Sequence, residues 1–374
     1  MTAPVRTVSS GVRHLYIHLP FCAHRCGYCA FVVHVGQLDR RDAYLDALLG
    51  ELERERGRLG PLETVFLGGG TPTLMGAERL ERLLEAIGPL LAPGAEVTIE
   101  ANPETVDRSL LERLLRAGIT RVSLGVQSFQ PHLLERLERR AGPERVHLAL
   151  NAAREAGVAN LSIDLLFAVP GEDTDDLAAD LAAALAAEPQ HLSWYELELK
   201  PGSALVRRGD RPVDEDEAAD AYRWTVGALE AAGYRWYETA NFARPGGECR
   251  HSLAYWHGAD YLGIGVGAVS TVAGRRWCNA SGLEPYIRAS LERRDPPRTG
   301  EDVDRDTRRR ERWMLGLRLQ EGLAALLAGP PDHPEALERL ERAGLLRQDG
   351  ERVALTREGR FVENLILHRL MEYA

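Results

Sequence analysis

The stretch HLPFCAHRCGYCAF, residues 18–31, places three of the five cysteines of this 374-residue chain within eight positions. Cys22, Cys26 and Cys29 form a C-x3-C-x2-C run, which follows the short apolar segment Leu15–Ile17. Thiolates suit iron–sulfur clusters or zinc, and both kinds of site normally need four ligands. The run therefore predicts a metal centre with one open position, which suits a cluster that holds a small molecule. A closed zinc site and a set of buried, metal-free thiols are the alternatives.

The composition limits the classes of protein that the chain can belong to. With 46 basic and 56 acidic residues the formal net charge is −10, which argues against a protein built mainly to bind nucleic acid. The sequence shows no long uncharged apolar stretch and no apolar signal-peptide core near its start. We therefore expect a cytoplasmic protein with reduced thiols. The arginine-rich runs Arg136–Arg140 and Arg305–Arg312 have helical spacing, which predicts mostly solvated helix faces.

Six short apolar or β-branched runs alternate with longer segments that have helical periodicity and are rich in leucine, alanine, glutamate and arginine. The predicted strands are Leu15–His18, Thr64–Leu67, Val97–Ala101, Arg121–Val126, Leu161–Phe167 and His191–Leu197. Alternation of this kind predicts an α/β fold with a parallel sheet covered by helices. We expect a partial (β/α)6 barrel of the TIM type rather than an open sheet, because the same end of successive strands carries polar residues.

Those polar or glycine-rich residues follow five consecutive predicted strands. The cysteine run follows the first strand, Gly68–Pro72 the second, Glu100–Pro103 the third and Gly125–Phe129 the fourth, and Asp164 lies on the fifth. In barrels this face holds the active site. The three consecutive glycines lack Cβ atoms and so allow a ligand to approach the backbone closely. They match neither a phosphate loop nor a dinucleotide fingerprint.

The CxxxCxxC run, with an aromatic residue before its last cysteine, resembles the signature of the radical S-adenosylmethionine (SAM) superfamily. The resemblance implies a [4Fe–4S] cluster held by Cys22, Cys26 and Cys29, with SAM at the open iron. The motif GGGTP, residues 68–72, also resembles the SAM-binding loop of that superfamily. The implied SAM pocket consists of Gly69, Gly70, Thr71, Glu100 at the ribose hydroxyls, Gln127, Arg139 and Asp164, with Tyr16 and Tyr28 contacting SAM or the cluster.

Further blocks narrow the resemblance to the HemN/HemW branch, which comprises oxygen-independent coproporphyrinogen III dehydrogenases and their haem-chaperone relatives. The blocks are residues 16–22, 125–129, 237–246, 261–268 and 313–318. The dehydrogenases carry an additional cysteine two residues beyond the cluster motif, and a longer N-terminal extension. This chain has Phe31 at the position of that cysteine and only fifteen residues before Tyr16. Both features resemble the haem-chaperone side of the branch.

In the haem-chaperone branch, a histidine-containing motif after the barrel is associated with haem. The corresponding stretch here is CRHSLAYW, residues 249–256. The resemblance implies His251 as a candidate axial ligand of haem iron and Cys249 as a weaker one. A packed, hydrogen-bonded histidine is the alternative.

Three segments are predicted along the chain. Residues 1–236 are expected to form the radical SAM barrel, and residues 237–296 a connecting segment with the candidate haem motif. Residues 297–374 are expected to form an α+β, winged-helix-like domain, because helical segments precede two short apolar runs around Asp349-Gly350. We expect that domain to pack against the barrel or to bind a partner protein rather than DNA.

Three functions remain open at this point. The first is a haem chaperone that carries the cluster and SAM and delivers haem to haemoproteins, some of them membrane-bound respiratory proteins that it contacts peripherally. The second is a radical SAM enzyme, either a coproporphyrinogen dehydrogenase or a methyltransferase or tailoring enzyme. The third is a zinc protein, which explains neither GGGTP nor the polar strand ends. The first two need an electron donor for the cluster, and catalytic residues and oligomeric state are not predicted.

Overall fold

A computed structural model describes residues 11–371 of the chain. The start of the first predicted segment, residues 1–10, and the end of the third, residues 372–374, lie outside the described residues. The strands are β1 (Val12–Leu19), β2 (Phe21–Cys22), β3 (His34–Val35), β4 (Leu59–Gly69), β5 (Leu91–Ala101), β6 (Arg121–Gln127), β7 (Leu161–Phe167), β8 (His191–Glu196), β9 (Arg235–Trp236), β10 (Asn241–Ala243), β11 (Leu262–Ile264), β12 (Val269–Val272), β13 (Arg275–Asn279), β14 (Arg298–Asp302), β15 (Leu323–Ala324), β16 (Leu346–Asp349) and β17 (Arg352–Leu355).

Helices cover most of the sequence between the strands. They are α1 (Arg41–Glu55), α2 (Ala77–Ile87), α3 (Arg108–Arg116), α4 (Pro131–Arg136), α5 (Pro143–Ala156), α6 (Thr174–Ala186), α7 (Ala204–Arg208), α8 (Glu215–Ala231), α9 (Arg250–Trp256), α10 (Leu283–Leu291), α11 (Arg305–Gly316), α12 (Ala325–Ala328), α13 (Glu335–Arg342), α14 (Arg357–Arg360) and α15 (Glu363–Leu370). Within residues 11–371, none of them is both long enough and apolar enough to cross a bilayer.

One nine-stranded sheet forms the main body, in the order β11-β1-β4-β5-β6-β7-β8-β10-β9. The six predicted strands correspond to β1, β4, β5, β6, β7 and β8, which are neighbours in this order and pair in parallel. The predicted α/β class and partial (β/α)6 barrel are therefore confirmed. Parallel pairing requires a crossover after each strand, and helices supply these crossovers.

The two faces of the sheet differ in polarity. Leu15 and Ile17 on β1 are fully buried in the core beneath the helices. His14, Tyr16 and His18 alternate with them and lie on the opposite, inner face, because successive side chains of a strand point to opposite sides. The barrel interior is therefore lined largely by polar side chains.

Strands from residues 237–296 extend the main sheet at both edges. β11 pairs in parallel with β1, and β10 pairs antiparallel with β8. The fully buried carboxylate of Glu51 on α1 holds part of this segment to the barrel. It accepts hydrogen bonds from the backbone of Gly265 (2.8 Å), the amide of Asn279 (2.8 Å), the hydroxyl of Tyr286 (2.6 Å) and the guanidinium of Arg298 (2.9 Å). The three-part division of the chain remains a prediction.

The C-terminal residues form an antiparallel sheet in the order β15-β17-β16, with a separate apolar core that includes Trp313 and Leu367. The predicted hairpin around Asp349-Gly350 is β16–β17, and helices surround it, which agrees with the predicted winged-helix-like α+β fold. This region packs on the barrel through Arg360. The Arg360 guanidinium lies 3.4 Å from the centroid of the Trp236 ring and donates to the Trp236 carbonyl oxygen at 2.7 Å.

Candidate functional site

A cavity of about 420 Å3 lies at the C-terminal ends of the barrel strands. Eleven of the fourteen predicted site residues line it: Cys22, Cys26, Tyr28, Cys29, Gly69, Gly70, Thr71, Glu100, Gln127, Arg139 and Asp164. The volume lies in the range of small-molecule sites. Tyr16, Cys249 and His251 lie outside this cavity, at other levels of the barrel.

Contacts with the protein hold the cysteine loop in place. Gly27 donates its backbone N–H to the carbonyl of Leu137 (3.0 Å), and its own carbonyl accepts from the backbone N–H of Leu205 (3.1 Å). The Arg25 guanidinium donates to the carbonyls of Phe31 (3.2 Å) and Val33 (3.3 Å). The loop therefore has a defined shape through the protein's own hydrogen bonds.

The three thiols contact polar groups from other strand ends. Cys22 Sγ lies 3.7 Å from the Thr71 hydroxyl, and Cys26 Sγ lies 3.5 Å from Arg139 Nη1. Burial raises the pKa of the Cys22 thiol to about 11 and also raises the pKa of Cys29. Bonding to iron is a way to hold such groups as thiolates.

The donor set fits a cluster. Within residues 11–371, no three histidine, cysteine, aspartate or glutamate side chains are gathered around a position for a single metal ion. Thiolates that bind separate iron atoms of a cluster need not converge on one point. Three thiols beside a cavity also leave one iron position to be filled from the cavity side.

Close packing within the protein requires glycine at two positions of the glycine loop. A Cβ atom on Gly70 would lie 2.7 Å from the carbonyl oxygen of Phe21, and one on Gly69, whose φ is +119°, would lie 2.5 Å from the His18 ring. The Gly70 and Thr71 amides donate to the carbonyls of Leu19 (2.9 Å) and Phe21 (2.8 Å). Close packing against His18 and Phe21 therefore requires these glycines, and the approach of a ligand to their backbone remains a prediction.

Glu100, at the end of β5, is buried beneath the glycine loop. It accepts a hydrogen bond from the Gly69 amide at 3.0 Å. Burial raises the pKa of this carboxyl to about 7, although the Gly69 hydrogen bond opposes that change. The charge of Glu100 is therefore sensitive to pH near neutrality.

Arg139 lies inside the cavity and not on a solvated helix face. The helix predicted through Arg136–Arg140 ends at Arg136, and Glu138 adopts a left-handed conformation with φ 57°. The chain therefore turns and directs the Arg139 side chain inward. Arg139 Nη2 donates to the carbonyl of Gly125 (2.6 Å) and to Asn102 Oδ1 (3.1 Å). The solvated helix face expected for most of this arginine-rich run does not extend to Arg139, which lines the cavity.

Asn102 is a site residue that the sequence reasoning did not select. Its amide donates to the Thr71 hydroxyl at 2.9 Å, while its carbonyl oxygen accepts from Arg139. It therefore links the glycine loop to the arginine that contacts Cys26. Its place directly after β5, beside Glu100, was the available signal.

The remaining predicted SAM residues lie at two levels. Gln127 ends β6 at a register shift and has a left-handed backbone conformation, with φ 73°. Asp164 accepts hydrogen bonds from the hydroxyls of Ser123 (3.0 Å) and Ser162 (3.2 Å). Tyr16 is one layer deeper, where its hydroxyl hydrogen-bonds to His18 Nδ1 at 3.0 Å. Tyr28 packs against a small apolar cluster beside the cavity.

His251 and Cys249 lie at the opposite, N-terminal end of the barrel strands. The His251 side chain is 1% exposed, and both ring nitrogens are hydrogen-bonded: Nδ1 to the Thr64 hydroxyl (2.7 Å) and Nε2 to the Tyr255 hydroxyl (2.9 Å). Burial lowers the pKa of His251 to about 3, so the ring is neutral. Cys249 is also buried, and its Sγ accepts from the Ser252 hydroxyl at 3.3 Å. In this arrangement both ring nitrogens of His251 and the sulfur of Cys249 have hydrogen-bond partners, and their assignment as haem ligands remains a prediction.

A buried carboxylate explains why the motif around His251 is built this way. Glu96 on β5 accepts hydrogen bonds from the backbone amides of Arg250 (3.0 Å) and His251 (3.1 Å), at the first turn of α9. Such a carboxylate satisfies N–H groups that a helix start leaves unpaired. α9 thereby closes this end of the barrel. The surroundings of His251 are those of a packed, hydrogen-bonded histidine.

Comparisons with known proteins agree with this geometry. Residues 16–184 match the family model described as "Radical SAM superfamily", and residues 303–362 match the model described as "HemN C-terminal domain". The solved structure of Escherichia coli coproporphyrinogen III oxidase (HemN), a radical SAM enzyme, superposes with a TM-score of 0.83 at 24% identity. It covers 96% of this chain and 90% of that one, and it shows the fold alone.

Curated relatives define the family more closely. The Mycobacterium tuberculosis protein named "Heme chaperone HemW" is 38% identical over 368 residues, with 96% of this chain and 94% of the relative covered. The Bacillus subtilis protein of the same name is 34% identical, with 94% and 97% covered. The fold and the cysteine site define the radical SAM class, and that class implies a [4Fe–4S] cluster and SAM. Within it, the chain belongs to the HemW family.

The buried, neutral state of His251 predicts how folding stability depends on pH. Its folded pKa of about 3 lies below the ordinary value of 6.5, so the unfolded chain binds more protons between these values. The contribution of His251 to the free energy of unfolding should therefore decline as pH falls below about 6.5. His251→Gln should show a shallower decline in urea unfolding measured from pH 7 to 4.5. The exposed His132 makes His132→Gln the matched control, and equal slopes for His251→Gln and wild type would contradict the prediction.

Proposed function

We propose that this protein is a haem chaperone that carries a [4Fe–4S] cluster and SAM and delivers haem to haemoproteins. The names of the curated relatives support the cargo, and the cavity at the strand ends supports the two cofactors. One observation carries the choice of a chaperone over a dehydrogenase. Phe31, at the position where the dehydrogenases carry their additional cysteine, lines the cavity and is 68% exposed.

Cys22, Cys26 and Cys29 are proposed as the cluster ligands. When bound, the cluster supplies single electrons to SAM at the iron that the protein leaves open. Arg139 donates a hydrogen bond toward Cys26 Sγ, which stabilises negative charge on that sulfur. The apolar packing around Tyr28 and the cysteine loop excludes water from one side of the site.

The SAM site is proposed across the remaining strand ends. Gly69, Gly70 and Thr71 flank the methionine part, and Glu100 accepts hydrogen bonds from the ribose hydroxyls. Gln127, Arg139 and Asp164 complete the walls of the pocket. Asn102 hydrogen-bonds to both Thr71 and Arg139 and so fixes their relative positions. Tyr16 lies one layer deeper in the barrel and supports the SAM-site residues through its hydrogen bond to His18.

A radical SAM enzyme is the second candidate function. The cavity supports this enzyme function, because it contains the polar groups proposed to bind SAM. A coproporphyrinogen dehydrogenase is the less favoured form, because Phe31 replaces the additional cysteine. A methyltransferase or tailoring enzyme on the same scaffold is the other form.

The proposed partners follow from the chaperone function. Haem and haemoprotein acceptors are required, and an electron donor is needed to reduce the cluster. We place the protein in the cytoplasm, with peripheral contact to membrane-bound respiratory proteins and no nucleic-acid partner.

Replacing any one of the three cysteines with alanine should abolish the cluster after anaerobic reconstitution. The expected result is loss of the broad visible absorption near 400 nm and of about four iron and four sulfide per chain, because three protein thiolates are the minimum for this type of site. Cys278→Ala is the matched control and should retain a full complement of iron. Full iron content in the Cys22→Ala/Cys26→Ala/Cys29→Ala variant, or stoichiometric zinc without iron in the native protein, would sink the assignment.

SAM affinity should depend on pH through Glu100. Since the carboxyl has a pKa of about 7 in the free protein, it is ionised above that pH and can accept from both ribose hydroxyls. Calorimetric SAM affinity should fall as pH drops from 8 to 6, by at most about tenfold per pH unit below 7. Glu100→Gln should bind more weakly by about 1–3 kcal/mol and lose this dependence. Identical pH profiles for the variant and wild type would remove Glu100 from the ribose site.

The chaperone and enzyme functions separate in one anaerobic experiment on a single reconstituted sample. We expect stoichiometric haem binding, followed by the Soret band, and no multiple-turnover conversion of coproporphyrinogen III with SAM and reductant. Transfer of the bound haem to an apo-haemoprotein completes the test. Sustained formation of protoporphyrinogen would establish the enzyme function, and wild-type protein that binds no haem would refute the chaperone proposal.

A further inference from the structure

Two adjoining cavities form a groove between the end of α9 and the C-terminal region. One, of about 470 Å3, is lined by residues that include Trp256, His257 and Leu323. The other, of about 390 Å3, is lined by residues of α11 and α12 and by the residue that follows α12. Arg312 and Leu327 lie in the walls of both cavities. We call the whole the α9–α11 groove.

Two leucines of α12 lie exposed at the rim of the α9–α11 groove. Leu326 and Leu327 are each 77% exposed, which makes them among the most exposed large apolar side chains of the described residues. Leu319 and Leu323 lie deeper in the same groove. Adjacent exposed leucines at the edge of a cavity mark a surface that gains stability when an apolar partner covers it.

Hydrogen bonds from α11 hold α12 in this position. The Arg312 guanidinium donates to the Leu327 carbonyl at 2.8 Å. The Trp313 indole N–H donates to the Gly329 carbonyl at 2.9 Å. Ala328, on the same short helix, is buried in the C-terminal core. The two exposed leucines are therefore presented by a fixed backbone, which lowers the conformational cost of covering them.

One face of α11 brings positive charge to the groove. Arg305, Arg308 and Arg312 are spaced three and four residues apart, and all three line the cavity beside α12. Within residues 11–371 none of the three forms an ion pair, whereas the neighbouring Arg309 pairs with Asp332 at 2.5 Å. The charge of this face therefore lacks a carboxylate partner from the described chain.

The opposite end of the groove, beside α9, has balanced charge. The Glu321 carboxylate lies 3.4 Å from the Arg352 guanidinium and 3.6 Å from Nε2 of His257. The positive charge of the groove is therefore concentrated at its α11 end. A complementary occupant has apolar side chains along its length and carboxylates at one end.

We propose that the α9–α11 groove docks an acidic, amphipathic peptide segment of the protein that receives haem. Apolar side chains of the segment cover Leu326 and Leu327, and its carboxylates pair with Arg305 and Arg308. The proposal rests on the haem-chaperone function, which requires an acceptor to approach this protein. The groove is suited to that approach because one of its walls is the end of α9, the helix that carries most of the candidate haem motif.

A protein segment fits the groove better than an anionic membrane or a nucleic acid does. Asp304 and Asp306 flank Arg305 in the sequence and are exposed, so a flat anionic surface that reached Arg305 would also meet two carboxylates. A narrow segment inside a bounded groove avoids them. A nucleic-acid backbone would leave the exposed leucines uncovered, and the net charge of −10 opposes it.

The first measurement is the fluorescence anisotropy of a labelled synthetic peptide in which pairs of leucines alternate with pairs of glutamates, titrated with the full-length, cluster-loaded protein. We expect binding that weakens as the salt concentration rises, because arginine–glutamate attraction contributes to it. Leu326→Ser/Leu327→Ser and Arg305→Glu/Arg308→Glu should each weaken binding by about tenfold or more, since each variant removes one of the two matched features.

Leu365→Ser and Arg211→Glu/Arg347→Glu are the matched controls, because they change an exposed leucine and two exposed arginines outside the groove. Both should bind the peptide as wild type does. A peptide with lysines in place of the glutamates should bind wild type weakly and should bind Arg305→Glu/Arg308→Glu more tightly, which also shows that this variant is folded.

The proposal fails if wild type does not bind the glutamate peptide, or if both groove variants bind it as wild type does. It also fails if the groove variants lose binding to phosphatidylglycerol vesicles and keep their affinity for the peptide, because the surface then serves a membrane.

The second measurement tests whether the occupant belongs to a haem acceptor. Haem transfer to the apo form of a respiratory cytochrome b should be slowed by about tenfold in Leu326→Ser/Leu327→Ser. Haem capture by excess apomyoglobin, which reports dissociation alone, should be unchanged in that variant. Equal rates of transfer to the cytochrome for the variant and wild type overturn this inference and leave the chaperone function standing. Wild-type protein that binds no haem refutes the proposed function, and the acceptor as occupant falls with it.

Discussion

The constraint on which the rest of the structure depends is that parallel strands of one sheet all end on the same rim. Six strands of this chain are parallel neighbours, so residues more than a hundred positions apart in sequence meet within a cavity of about 420 Å3. Cys26 contacts Arg139, and Arg139 contacts Asn102, because β1, β5 and β6 all end at that rim. The candidate cofactor site therefore depends on the topology of the sheet and not on any single loop.

The polar interior links the two ends of the barrel. From Asp164 in the cavity, hydrogen bonds pass through Ser162 (3.2 Å) to His191 (2.8 Å), and from His191 to the Tyr237 hydroxyl (2.8 Å). That hydroxyl accepts from the backbone amide of Cys249 at 3.3 Å, immediately before α9. A continuous chain of hydrogen bonds thus connects the helix that closes the barrel, α9, with the candidate cofactor cavity.

Much of the candidate site was predictable because its residues stand where strands end. The cysteine run, the glycine loop, Glu100 and Asp164 each follow or close a recognisable apolar run, and all of them line the cavity. Arg139 was harder to interpret, because its neighbours have helical spacing and only the left-handed turn at Glu138 directs it inward. The crowding that requires glycine at Gly69 and Gly70 was not predictable, since it comes from His18, Pro20 and Phe21, which strand pairing in three dimensions places there.

The amino-acid sequence by itself determined the alternation of strands and helices, and it predicted the parallel order and the candidate thiol ligands, because these depend on local periodicity and on the chemistry of individual side chains. Tertiary structure alone decided which histidine is buried. His251 and His257 stand six residues apart on and just beyond the same short helix, yet the His251 ring is buried against Thr64 and Tyr255 while the His257 side chain is half-exposed beside Glu321. Exposure and hydrogen-bond partners depend on segments distant in sequence, so no local pattern distinguishes the two rings.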